Sequence, residues 1–170
     1  ISQAEGISAH YVAKLMRMSG AILATSAAAA RVLSTGKPGA DDPQAGSIEG
    51  FEPVITDRIV TDGYEIRLGD LMLQAIATPG HTRGALSWRW VSCDGGVCRT
   101  IVYADSLTPV SNNAYRFSDH PEVVAAFRKS IAKIAASPCD IIITPHPSAS
   151  HLLERFAAGK PLLDEEGCRA

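Results

Sequence analysis

Residues 71–103 read LMLQAIATPGHTRGALSWRWVSCDGGVCRTIVY, and the architecture is read outward from them. Three apolar runs, 71–77, 85–91 and 99–103, are bounded by Gly, Pro and Asp. Apolar, β-branched and aromatic side chains between turn residues are what a pleated, half-buried strand selects. The second and third runs converge on Asp94-Gly95-Gly96, a hairpin signal, because a two-residue turn needs residues that accept positive φ. That turn brings Cys93 and Cys98 together. The four cysteines allow three pairings, and sequence alone does not choose between them. If the hairpin closes the first pair, Cys139 and Cys168 are left for each other. A CxxxxC with no second such motif is a poor zinc frame. Disulfides are therefore expected, and with them an oxidising compartment, periplasmic or secreted.

Upstream, the segments 54–60 and 64–68, with turns at Asp62-Gly63 and Gly69-Asp70, are expected to form a three-stranded meander with 71–77. Residues 8–18 carry apolar positions at helical spacing (Tyr11, Val12, Leu15, Met16), ended by Gly20. Ile22-Leu23-Ala24 reads as a short strand. Ser26 is an N-cap for a second helix through Leu33, closed by Gly36. Residues 35–50, rich in Gly, Pro and Asp, read as a long surface loop of the kind that walls active sites. Downstream, 121–136 is an amphipathic helix with Pro in its first turn. Residues 141–143 form a buried strand and 148–158 a last helix. Strands alternating with helices argue for α/β layers in a single domain, residues 1–170.

Composition agrees. The chain has 170 residues, 46% hydrophobic and 20% charged, with mean hydropathy +0.06, enough apolar material for a substantial core. A disordered chain is excluded, and no apolar run approaches the roughly 20 residues of a membrane span. Sixteen Lys and Arg against eighteen Asp and Glu give a net charge of −2, so nothing in the charge argues for nucleic acid. The chain begins at Ile1 without Met or a signal peptide, as expected of a processed protein or a fragment.

Three loops directly follow apolar strands: Thr78-Pro79-Gly80-His81-Thr82, Asp105-Ser106-Leu107-Thr108 and Thr144-Pro145-His146-Pro147. Ligand sites in layered α/β folds gather beyond strand ends, where loops converge over a rigid sheet. His is the commonest zinc ligand, and the flanking prolines stiffen both histidine loops. His81 and His146 are therefore candidate metal ligands. His10, His120 and His151, on or beside helices, are read as ordinary surface or hydrogen-bonded residues. Asp105 and Ser106, taken alone, are turn residues.

The strings TPGHTRGALSWRW (78–90), CRTIVYADSLTPVSNN (98–113) and CDIIITPHPSAS (139–150), with the ADDPQAG loop (40–46) and both cysteine pairs, resemble metallo-β-lactamases of the third subclass in order and spacing. The resemblance runs from about Met18 to Cys168. It implies an αββα sandwich, two sheets packed face to face between helices, with the metal site at one edge. It also implies a zinc-dependent hydrolase that opens the β-lactam ring and confers antibiotic resistance, using one or two zinc ions and a small-molecule β-lactam substrate. In such enzymes zinc lowers the pKa of bound water and stabilises developing negative charge. Carried over residue by residue, His81 matches a histidine of the first zinc site and His146 one of the second. Ser106 matches a serine that orients the metal-bound water. Thr108 and Ser106 line the substrate pocket, Thr108 at the substrate carboxylate. Gln44 reaches toward substrate, and Cys93–Cys98 and Cys139–Cys168 match known disulfides.

The chain departs from the family at HxHxDH, the motif supplying four of six metal ligands. Its expected place is 3–8, which reads Gln-Ala-Glu-Gly-Ile-Ser. Glu5 is a carboxylate able to join His81 and His146 in one three-ligand site, but Ile7 and Ser8 are not ligands. The first sheet of the family fold is also expected to be missing or incomplete, leaving sheet edges open to association. Two alternatives stand beside the lactamase: another hydrolase of the superfamily, a thioesterase or lactonase, and a non-catalytic fragment or binding domain.

Overall fold

The computed structural model describes residues 8–160. Its frame is a five-stranded sheet in the order β3-β4-β5-β6-β7, with β3 Glu65–Leu68, β4 Leu71–Ala77, β5 Leu86–Asp94, β6 Val97–Tyr103 and β7 Ile141–Ile143. The first four strands are antiparallel neighbours, and β7 adds parallel to β6, with Tyr103 opposite Ile143. Gly95 (φ 55°) and Gly96 (φ 83°) make the two-residue turn between β5 and β6. This sets Cys93 opposite Cys98, and the two are disulfide-bonded. Cys139 is also disulfide-bonded; Cys168, the partner the resemblance gives it, lies outside the described residues, as does Glu5.

Because β5 runs against its neighbours, β4, β6 and β7 all point the same way. The loops after these three strands therefore open at one end of the sheet, and they carry His81, Ser106 and His146. Strands β4 and β7 are three places apart, roughly 14 Å at the usual inter-strand spacing.

One face of the sheet is covered by helix α3, Pro121–Ala135, whose Ile134 packs on Ile76, Val102 and Ala104, with Leu107, Cys139 and Ile142 around them. On the other face Ala75, Trp88, Tyr103 and Ile143 align across four strands, with Trp90, Ile101 and Ile141 beside them. All of these but Ala75 keep part of their surface exposed.

Helices α1, Ser8–Ser19, and α2, Ala27–Thr35, make a second small core, where Ala13, Leu33 and Val54 meet Val12, Met16, Leu23 and Phe51. Ser26 caps α2 by accepting from the Ala29 N–H, and Gly36 ends it in the left-handed region (φ 69°), as its sequence anticipates.

The expected three-stranded meander is corrected. Residues 54–60 do not join β3. Only β2, Arg58–Ile59, is a strand there, and it pairs parallel with β1, Ala24–Thr25, in a separate two-stranded sheet. The cause is polar. Asp57 accepts from the Leu23 N–H through Oδ2 (2.7 Å), while the Asp57 and Arg58 N–H groups both donate to the Leu23 carbonyl (3.0 Å). The last expected helix is likewise broken. A 3-10 turn, Pro147–Ser150, leads to His151 at φ 50° and then to α4, Leu152–Ala157. Of the sandwich the resemblance implies, the described residues form this five-stranded sheet, the short β1–β2 pair and the helices.

Candidate metal and substrate site

His81 lies four residues beyond β4 and is 5% exposed. Its Nδ1 is 2.8 Å from the Thr108 carbonyl oxygen. A carbonyl only accepts, so Nδ1 carries the proton, and the lone pair of the neutral ring sits on Nε2. A backbone carbonyl orienting the far ring nitrogen is the usual support of a metal-binding imidazole. Nε2 faces the Gln44 side-chain amide, whose Nε2 donates to it at 3.4 Å.

The His81 loop is wedged between two helices. Ser130 of α3 donates to the Pro79 carbonyl (2.7 Å), and Gly80 lies so close to the Phe127 ring that a Cβ would stand 2.8 Å from it. On the other flank Ser26 Oγ donates to the Gly84 carbonyl (2.9 Å). Beneath the loop, Thr78 Oγ1 and Ser87 Oγ are 2.8 Å apart, and Ser87 Oγ accepts from the Asp105 N–H (3.0 Å). Asp105 Oδ1 in turn accepts from the Ser106 N–H (2.8 Å). Thr78, Ser87, Asp105 and Ser106 are all buried, so this polar chain joins the ends of β4, β5 and β6 under the site.

Gln44 comes from the long loop after α2. Asp42 Oδ1 accepts from the Gln44 N–H (2.8 Å). Burial holds the Asp42 carboxyl above its ordinary range, with that N–H and His81 pulling the other way. Thus the structure brings Gln44, His81 and the Thr108 backbone together, with Ser106 two residues from Thr108 on the same loop. His146 is half-buried, three residues past β7, its carbonyl accepting from Thr144 Oγ1 (2.6 Å). His120 stacks on Tyr115 (4.2 Å between centroids), and His151 pairs with Glu154 at the surface (3.0 Å), both in structural contacts. Sequence reasoning missed Thr78, Ser87 and Asn112; only Asn112 carried a signal, in the turn-forming string Ser111-Asn112-Asn113.

Among the described residues, no group of three or more His, Cys, Asp or Glu side chains is assembled to hold a metal ion. A catalytic zinc needs about three protein ligands. The donor set present does not fit a tightly held zinc by itself, although His81 is oriented as a ligand would be. A cavity of about 760 Å³ opens behind the His81 loop, between α2, residues 37–43 and α3. Gly80 and Thr82 line it, and His81, Gln44, Ser106, Thr108 and His146 do not.

No family model matches the sequence. Solved structures do. The metallo-β-lactamase MIM-1 from Novosphingobium pentaromativorans is 48% identical (TM-score 0.88), the match covering 94% of this chain and 59% of that one. The Rm3 metallo-β-lactamase is 40% identical (TM-score 0.90; 95% and 63%). MEM-A1, a subclass B3 enzyme isolated from a soil metagenome library, is 38% identical (TM-score 0.89; 94% and 64%). The chain thus spans about three fifths of the length of these relatives, and over that length it is homologous in sequence and in fold to the subclass B3 metallo-β-lactamases.

Proposed function

We propose that this chain carries the His81, Gln44 and Thr108 side of a zinc-dependent β-lactam hydrolase, and that the ligands completing its metal site come from outside the described residues. The observation that carries the reading is the His81 ring, which holds its proton on Nδ1 against the Thr108 carbonyl and turns Nε2, met among the described residues only by the long Gln44 amide contact (3.4 Å), toward the sheet end where Ser106 and His146 also emerge. The substrate is a small-molecule β-lactam. Gln44 offers it an amide and Thr108 an exposed hydroxyl, groups that orient a carboxylate and break no bond themselves. The part-exposed face of Trp88, Trp90, Ile101 and Tyr103 supports the same view, since a second sheet would cover it in a sandwich. The Cys93–Cys98 disulfide supports a periplasmic or secreted protein.

The test is nitrocefin turnover with added zinc, alongside metal content by atomic emission. Zinc-dependent turnover that His81→Ala removes is the expected result. A zinc-free, inactive protein would make the chain a non-catalytic fragment or binding domain. Thioester or lactone hydrolysis without lactam hydrolysis would make it another hydrolase of the superfamily.

A further inference from the structure

We infer that Asn112 is a positioning residue, a two-point clamp that fixes Gln44 against the Nε2 side of His81. Its backbone N–H donates to the Pro43 carbonyl (2.8 Å), and its side-chain Nδ2 donates to the Ala45 carbonyl (2.8 Å). Those two carbonyls flank Gln44, so one residue grips the chain on both sides of the amide that meets His81. Its Oδ1 faces the other way, accepting from the Ala114 N–H (2.8 Å) and the Tyr115 N–H (2.9 Å). With both ends of its amide engaged, the Asn112 side chain is held in one orientation.

Among the described residues the loop's other tie toward the site is the exposed Arg83–Asp41 ion pair (3.0 Å), three positions before Gln44. The bonds Gln44 N–H to Asp42 Oδ1, Ala45 N–H to the Asp42 carbonyl and Ser47 N–H to the Gln44 carbonyl are internal to residues 42–47. They shape the loop without fixing where it sits. Asn112 ties it to the strand-end loop that also carries Thr108. The loop after β6 therefore sets both partners of one contact: Thr108 turns the His81 ring, and Asn112 places Gln44 before it.

The chemistry of Asn112 separates this role from simple support of its own turn. Asn112→Asp keeps an acceptor for Ala114 and Tyr115 but cannot donate to Ala45. Asn112→Ala removes both. Amide hydrogen exchange on the folded chain reads the difference without any turnover. In Asn112→Asp the residue-112 amide, which donates to the Pro43 carbonyl across the same junction, is expected to exchange about tenfold faster after correction for its intrinsic rate, the equivalent of one lost hydrogen bond, with the Ala114 and Tyr115 amides unchanged. In Asn112→Ala both sets speed up. Unchanged exchange of the residue-112 amide in Asn112→Asp would overturn the clamp.

The catalytic consequence rests on the proposed β-lactam reading. Nitrocefin KM is expected to rise about 3–10-fold in Asn112→Asp, with kcat within twofold, and Gln44→Ala is expected to absorb that effect, because both changes act through where the Gln44 amide sits. A full effect persisting in the Gln44→Ala background, or an equal loss in kcat, would refute positioning through Gln44. Absence of nitrocefin turnover in the unmodified chain would instead count against the hydrolase reading, and the exchange result would still decide the clamp.

Discussion

Gly84 packs the His81 loop against α2, and Gly84→Ala tests whether that contact holds the loop. A Cβ built there stands 2.5 Å from the Ala29 backbone nitrogen and 2.8 Å from both Ala29 Cβ and Ser26 Oγ. Two of these atoms belong to the α2 scaffold and cannot swing aside, so the strand-end loop and the helix must separate by most of an ångström. The Gly84 φ is outside the left-handed region, so steric overlap and not backbone strain is the cost. Overpacking of this kind costs about 1–3 kcal/mol. The same displacement breaks the Ser26 hydroxyl bond to the Gly84 carbonyl and disturbs its cap on the Ala29 N–H, worth about 1 kcal/mol more. The sum is about 2–4 kcal/mol, a fall in Tm of roughly 5–15 °C for a chain of this size. Thermal unfolding by far-UV circular dichroism, with a urea midpoint to check an unchanged m-value, measures it. Gly69→Ala is the control, because Gly69 has φ +60° and nothing within 4 Å of its built Cβ, leaving only a conformational cost of about 1 kcal/mol. A Gly84→Ala protein as stable as Gly69→Ala would refute the reasoning.

Asp62 accepts from Lys133 Nζ (2.8 Å) and from the Ala77 N–H (2.8 Å), and the lysine bond holds its carboxyl below the ordinary value of 3.8. A lowered carboxyl stabilises the fold above its unfolded value and loses that contribution as pH falls through the folded value. Asp62→Asn is therefore expected to cost at most about 1 kcal/mol near pH 7, the pair being half exposed, with the gap to the unmodified chain closing below pH 3.8 in urea titrations. Burial, with Asp105 nearby, pushes the Tyr103 phenol up to about 12. The folded state then keeps a proton that the unfolded chain loses from pH 10 upward, so stability falls between pH 10 and 12. Tyr103→Phe should flatten that decline and remove the last tyrosine ionisation seen in absorbance at 295 nm. Replacing Cys93 and Cys98 together by Ser opens a short loop at an exposed hairpin tip. About 2 kcal/mol is expected to be lost, with the fold kept, and an unfolded double variant in circular dichroism would contradict it.

The sequence was most legible where structure is local. The β5–β6 hairpin, its glycine turn, its cross-strand cysteines and α3 with Pro121 at its start all stand where periodicity and turn chemistry put them. Residues 54–60 show how that reading fails. Their apolar content suits a strand, but Asp57 finds its partners at Leu23, 34 positions away, and carries the segment out of the meander. The site was half legible. His81 and Ser106 follow strands, so their placement at strand ends could be read, whereas the bonds that fix them could not.

By itself the sequence determined the strands of the five-stranded sheet, the hairpin register and the presence of histidines beyond strand ends, because side-chain alternation and glycine turns act over a few residues. Only the tertiary structure decided that β7 joins β6 in parallel, that β1 and β2 pair apart, and that Gln44, Thr108 and Asn112 assemble around His81. Those contacts span 27 to 67 positions of chain. Loop closure over such lengths is set by which surfaces pack and which buried polar groups need a partner, and no local pattern encodes that choice.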